Sequence, residues 1–188
     1  ISYFQKTLAH FNLPVPKPEE FQSLLGLKTV DILKNLAPNL SDKKFAEVFE
    51  YSKQMSIKAI SQITLVPGVK NVLDEVHSQY KIGLVSSRGK KTIKMLIDQY
   101  ELHKYFDVIV DRDDILKHKP DPEGILKALE ELQIKTDEAI YVGDMAEDVQ
   151  AARAANVPCV LVTKNNEIFG AEYFVKDISQ ISRIINEK

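Results

Sequence analysis

Cysteine is almost absent. The chain has one, Cys159, so no intrachain disulfide can staple it. That residue sits in the apolar run Val157-Pro158-Cys159-Val160-Leu161-Val162, where a small buried hydrophobe is the plain reading. A surplus of one charge sign is absent too. The formal net charge is -2 over 188 residues, which gives no electrostatic case for nucleic acid or an anionic membrane. No apolar run approaches the roughly 20 residues needed to span a bilayer, and no signal-peptide pattern opens the sequence. Internal repeats and low-complexity segments are also lacking. What is left is an ordinary globular composition, 44% hydrophobic and 28% charged. A reducing cytoplasm is the expected compartment. The length suits one core domain and a small accessory part.

Two kinds of pattern divide the chain. Residues 1–64 read as helix alone. Apolar residues recur at helical spacing in SYFQKTLAHF, EEFQSLLGL, TVDILKNLA and DKKFAEVFEYSKQMSIKAI. Pro14, Pro16 and Pro18 separate the first of these from the second. The turn at Pro67-Gly68 marks a change, and 65–188 read as a separate α/β domain. There, short apolar runs at 82–85, 106–110, 139–143 and 159–162, with EYFV before the final helix, alternate with amphipathic stretches. Strands apolar on both faces, alternating with helices, predict a Rossmann-like parallel sheet with helices on both sides.

In such a sheet, ligands bind beyond the carboxyl ends of the strands. The first strand is followed by Ser86, Ser87, Arg88 and Gly89. A hydroxyl and the amides of a helix start can hold a phosphate oxygen there, although a serine N-cap explains Ser86 as well. The second strand leads to Asp111 and Asp113, then to Lys117-His118-Lys119-Pro120-Asp121-Pro122. Pro120 keeps Lys119 extended, Asp121 suits a helix cap, and Pro122 suits the first helical position. In isolation Lys119 reads better as a solvated lysine, and His118 as exposed. Gly143 and Asp144 end the third strand, with Asp148 four residues on, so the two carboxylates can face one point. One or two carboxylates suit Mg²⁺, while acidic residues in a first helical turn also favour the helix dipole.

Together, IGLVSSRG, KHKPDPEGI and IYVGDMAEDVQAARAANV, in this order, resemble the second, third and fourth motifs of the haloacid dehalogenase-like (HAD) superfamily. Within it they are most similar to the phosphoglycolate phosphatase and β-phosphoglucomutase-like branch. The resemblance extends over essentially the whole chain. It implies an α/β core carrying a helical cap at 1–64. It further implies Ser86 and Lys119 as catalytic phosphate-holding groups, with Ser87 and Arg88 beside the substrate. Asp144 and Asp148 become the Mg²⁺ site. SLLGLK resembles the cap loop near the substrate, which makes Lys28 and Thr29 candidate specificity residues.

The family's first motif, a strand followed by Asp-x-Asp-Gly-Thr, has no counterpart in the sequence. Val108-Ile109-Val110-Asp111-Arg112-Asp113 imitates it but lies between the second and third motifs and lacks the glycine and threonine, so it is read as a decoy. The first motif is therefore expected upstream of residue 1. Its strand is the central one of the family's sheet, so the strands at Ile82 and Ala139 are expected to lack a neighbour between them. With that motif supplied, the resemblance implies a Mg²⁺-dependent phosphatase of a small phosphorylated metabolite, acting through an aspartyl phosphate, as a monomer or homodimer. The 188 residues alone are expected to be inactive. Alternatives are a non-catalytic binder of phosphate and metal, or a phosphomutase, pyrophosphatase, phosphonatase or dehalogenase on the same scaffold.

Overall fold

The computed structural model describes residues 2–17, 20–21, 24, 29–164 and 167–187. The expected helix EEFQSLLGL and the candidate Lys28 fall mostly or wholly outside them. The chain divides into two compact units, Ile1–Ile63 and Thr64–Lys188.

The first unit is helical. Helix α1 spans Ser2–His10, α2 spans Thr29–Leu36 and α3 spans Asp42–Ser61. Ser41 has extended backbone and its side chain accepts from the Lys44 amide, which defines the start of α3. Phe4, Leu8, Phe21, Ile32, Leu33 and Val48 close a core of their own. Apolar residues one helical turn apart, such as Phe4 and Leu8, supply that face.

The second unit is a parallel α/β structure. Its strands are β1 Gly83–Val85, β2 Val108–Val110, β3 Tyr141–Gly143, β4 Cys159–Val162 and β5 Tyr173–Val175. Its helices are α4 Val69–Val76, α5 Lys90–Tyr100, α6 Glu123–Leu132, α7 Ala146–Ala154 and α8 Ile181–Asn186. Every strand pairing is parallel. Strand β4 shows why its sequence is apolar on both faces. Cys159 and Leu161 pack with Val149, Ala151 and Ala152 of α7, whereas Val160 packs with Val72 and Val76 of α4 and Ile181 of α8. Ile93 and Ile97 of α5 cover a further cluster with Leu102 and Tyr105, against which Leu84 of β1 is packed.

The sheet is in two pieces. β1 pairs with β2, and β3–β4–β5 form a separate three-stranded ladder. β1 and β3 share no pairing. Among the described residues no helix is long and apolar enough to cross a membrane.

Candidate functional site

The turn from β3 into α7 is built around Asp148. Its Oδ2 accepts from the amides of Asp144 and Met145, both at 3.1 Å. This ties the third helical residue back to the helix start and satisfies amides that have no intrahelical partner. Gly143 is required for lack of space, since a Cβ there would sit 2.6 Å from Asp148 Cγ.

Asp148 Oδ1 accepts from Lys119 Nζ at 2.5 Å and from the Tyr141 hydroxyl at 3.3 Å. Lys119 also donates to the Tyr141 oxygen at 3.3 Å. The ion pair is well shielded, with side-chain exposures of 19% for Lys119 and 6% for Asp148. Burial, with the Asp148 carboxylate second, pushes the Tyr141 phenol well above its usual range, so it remains a neutral donor. Asp148 thus has four protein donors for its roughly four lone-pair sites. In this arrangement its carboxylate holds Lys119 and the turn. Asp144 differs. Its side chain is exposed and has no hydrogen-bond or ion-pair partner among the described residues.

Lys119 arrives from the loop between β2 and α6. The Lys119–Pro120 peptide is cis. Helix α6 starts at Glu123, one residue later than the sequence suggests, with Pro122 before it. Asp121 therefore stands one residue ahead of the cap position, where its Oδ1 accepts from the Glu123 amide at 3.0 Å. Glu123 in turn accepts from the amides of Leu116 and Lys117, both at 2.8 Å, and these bonds lower its carboxyl pKa. His118 is half-buried rather than exposed, and its Nδ1 is shielded from solvent.

Ser86 leaves the end of β1. Its amide donates to Val110 at 3.0 Å, and its hydroxyl accepts from the Arg88 amide at 3.2 Å. It does not cap α5; Gly89 holds that position. Ser87 and Arg88 are exposed in the same turn. A Cβ at Gly124 would lie 2.9 Å from Val85 Cγ1, so the start of α6 lies against the residue preceding Ser86. The loops bearing Ser86 and Lys119 therefore share one edge of the sheet.

The second acidic turn is structural. Asp111 is buried and its Oδ1 accepts from the Asp113 amide at 2.8 Å, while Asp114 accepts from the Asp111 amide at 3.0 Å. Asp113 Oδ2 accepts from the Lys90 amide at 3.3 Å at the start of α5. Thr29 is the half-buried first residue of α2 in the other unit.

Among the described residues no group of three His, Cys, Asp or Glu side chains is placed to hold a metal. A site with one free carboxylate does not suit zinc or calcium, which need three or more protein ligands. It does fit Mg²⁺, which takes one or two carboxylates and fills its octahedron with water and phosphate oxygens. Tyr141 escaped the sequence reading because a tyrosine in an apolar strand looks like core packing. Its place two residues before Gly143, on the same face of the strand, carried no separate signal.

The model of the haloacid dehalogenase-like hydrolase family matches residues 1–162. The chain is 25% identical over 191 residues to the pyrophosphatase PpaX of Oceanobacillus iheyensis, covering 98% of this chain and 87% of that protein. It is 30% identical over 148 residues to the phosphoglycolate phosphatase of Salmonella typhi, covering 78% of this chain and 53% of the relative. A match to a PpaX protein of Caldanaerobacter subterraneus, 38% identical over 124 residues, takes in 62% of this chain and 56% of that relative. The chain thus spans little more than half the length of two of these relatives. Among solved structures, the β-phosphoglucomutase of Clostridium difficile has the same fold, with a TM-score of 0.76 at 23% identity over 99% of this chain and 89% of its own. With its strand-end turns in the family's order and its match over most of its length, the chain belongs to the haloacid dehalogenase-like hydrolase family.

Proposed function

We propose that this chain is the greater part of a phosphatase that hydrolyses a small phosphorylated metabolite, with its nucleophilic aspartate supplied from upstream of Ile1. The observation that carries this reading is the shielded Lys119–Asp148–Tyr141 cluster beside the free carboxylate of Asp144. A cation and a free anion held apart at one strand-end edge suit a phosphate dianion and the metal that accompanies it. The names of the relatives suggest pyrophosphate and phosphoglycolate as first substrates to try.

In this reading the Lys119 ammonium donates to phosphoryl oxygens and keeps its place through Asp148. The Ser86 hydroxyl donates to another phosphoryl oxygen. The upstream aspartate attacks phosphorus, and a second carboxylic acid protonates the leaving oxygen. The same carboxylate then takes a proton from the water that cleaves the aspartyl phosphate. Asp144 is the residue that would hold Mg²⁺, which supplies charge neutralisation between the two approaching anions. Thr29 and Lys28, in the helical segment 1–64 that resembles the family's cap, are the residues to test for specificity.

The test uses the chain carrying the residues encoded ahead of Ile1. Phosphate release from pyrophosphate, phosphoglycolate and sugar phosphates is measured with and without Mg²⁺. Release that depends on Mg²⁺ and falls by roughly 100-fold or more in Lys119→Met is expected. No release from any ester, or full release from Lys119→Met, rejects the reading.

A further inference from the structure

β2 and β5 are edge strands. Among the described residues β2 pairs with β1 alone and β5 with β4 alone. The Ser86 amide donates to Val110 O, so Val108 and Val110 face β1 and Ile109 turns its amide and carbonyl outward. The Thr163 amide donates to Val175 O, so Tyr173 and Val175 face β4 and Phe174 turns its own groups outward. Neither Phe174 group has a hydrogen-bond partner among the described residues. Tyr173 and Val175 pack with Val160 and Ile181. The Phe174 ring therefore stands on the other face of the strand, where it is 50% exposed. The turn ahead of β5 is fixed, since Arg153 Nη2 donates to Gly170 O at 2.7 Å.

An open edge is a template for a further strand, and charges on it decide which strand is admitted. When two copies of one strand pair antiparallel about a two-fold axis, residues on either side of the centre come opposite each other. About Ile109 this sets Asp107 of each copy opposite Asp111 of the other, two pairs of like charge. About Phe174 it sets Glu172 of each copy opposite Lys176 of the other, two pairs of opposite charge. The β2 edge repels its own copy, and the β5 edge complements it.

We propose that the outer edge of β5 is a self-association surface, on which a second copy of this chain pairs its own β5, antiparallel, about a two-fold axis at Phe174. The two Phe174 residues form the central hydrogen-bonded pair, exchange two N–H···O bonds and bring their exposed rings together on one face. Glu172 is already held in place, its Oε2 accepting from the Cys159 amide at 2.9 Å. The Lys176 side chain is exposed and has no partner among the described residues. Its flexible four-carbon stem is long enough to reach the carboxylate of the other copy. A strand of three residues and its two flanks makes a small contact, so the dimer is weak, with a dissociation constant on the order of tens of micromolar. The proposal does not rest on the phosphatase reading.

The experiment is sedimentation velocity of the full chain from about 5 to 500 µM, repeated on Lys176→Glu, Glu172→Lys and an equimolar mixture of the two. Each variant alone sets like charges opposite one another. The mixture sets glutamate opposite lysine at both ends. The expected result is a concentration-dependent dimer of the parent, weaker by about tenfold or more in each variant alone and restored to within about threefold in the mixture. Glu172→Lys also removes the acceptor of the Cys159 amide, so Lys176→Arg, which keeps the charge, is compared with Lys176→Glu. It is expected to dimerise like the parent. A parent that stays monomeric over the whole range overturns the proposal. So does a dimer unaffected by Lys176→Glu, which would use another surface. Equal loss in Lys176→Arg and Lys176→Glu, or no recovery in the mixture, overturns the charge pairing and with it the proposed register.

Discussion

Two strands of the α/β unit run straight into aspartates, and the two turns behave differently. After β2, Asp111, Asp113 and Asp114 accept from backbone amides of their own turn and of the α5 start. After β3, one aspartate does all the structural work. Asp148 takes the two turn amides, the lysine and the phenol, and leaves Asp144 free. Both sequences offer acidic residues at a strand end. What separates scaffold from candidate site is which lone pairs are already spent.

The sharpest way to break the second turn is to remove its anchor. Asp148→Ala strips four hydrogen bonds and leaves the Lys119 ammonium unpaired at a shielded position. A loss of about 3 kcal/mol is expected in urea unfolding. Gly143→Ala should cost less, about 1–3 kcal/mol, because the new methyl group overlaps Asp148. It should also displace the Lys119 pair, visible as a changed Tyr141 absorbance. Asp111→Ala removes a cap from a short turn and should cost about 1 kcal/mol. Tyr141→Phe leaves the Lys119–Asp148 pair in place and loses one neutral donor, for about 1 kcal/mol. Asp144→Asn should leave stability within about 0.5 kcal/mol, since its carboxylate has no hydrogen-bond or ion-pair partner among the described residues. A stability loss for Asp144→Asn as large as that for Asp148→Ala would erase the distinction between anchor and free ligand.

Much of the fold was legible because core strands of a parallel sheet are apolar on both faces. All five strands fall within the expected runs, and the α5 stretch Lys90–Tyr100 matches its helix end to end. Four of the five strands begin one or two residues later than expected, while all five carboxyl ends coincide. What the sequence did not reveal was the division of labour between Asp144 and Asp148. An i, i+4 spacing places two carboxylates near one another but says nothing of which one accepts the turn amides. That depends on Gly143, whose missing side chain makes room for Asp148 to fold over the strand end. The Asp111 turn could be set aside on context alone, because it lacks the glycine that follows a metal-binding acid pair.

The most direct test of the account is a calorimetric Mg²⁺ titration, in the presence of phosphate, of three proteins: the chain itself, Asp144→Asn and Asp111→Asn. The account predicts that Asp144→Asn weakens Mg²⁺ binding at least tenfold, while Asp111→Asn binds like the parent. Equal weakening in the two variants, or a loss confined to Asp111→Asn, would contradict it and move the metal site to the turn after β2.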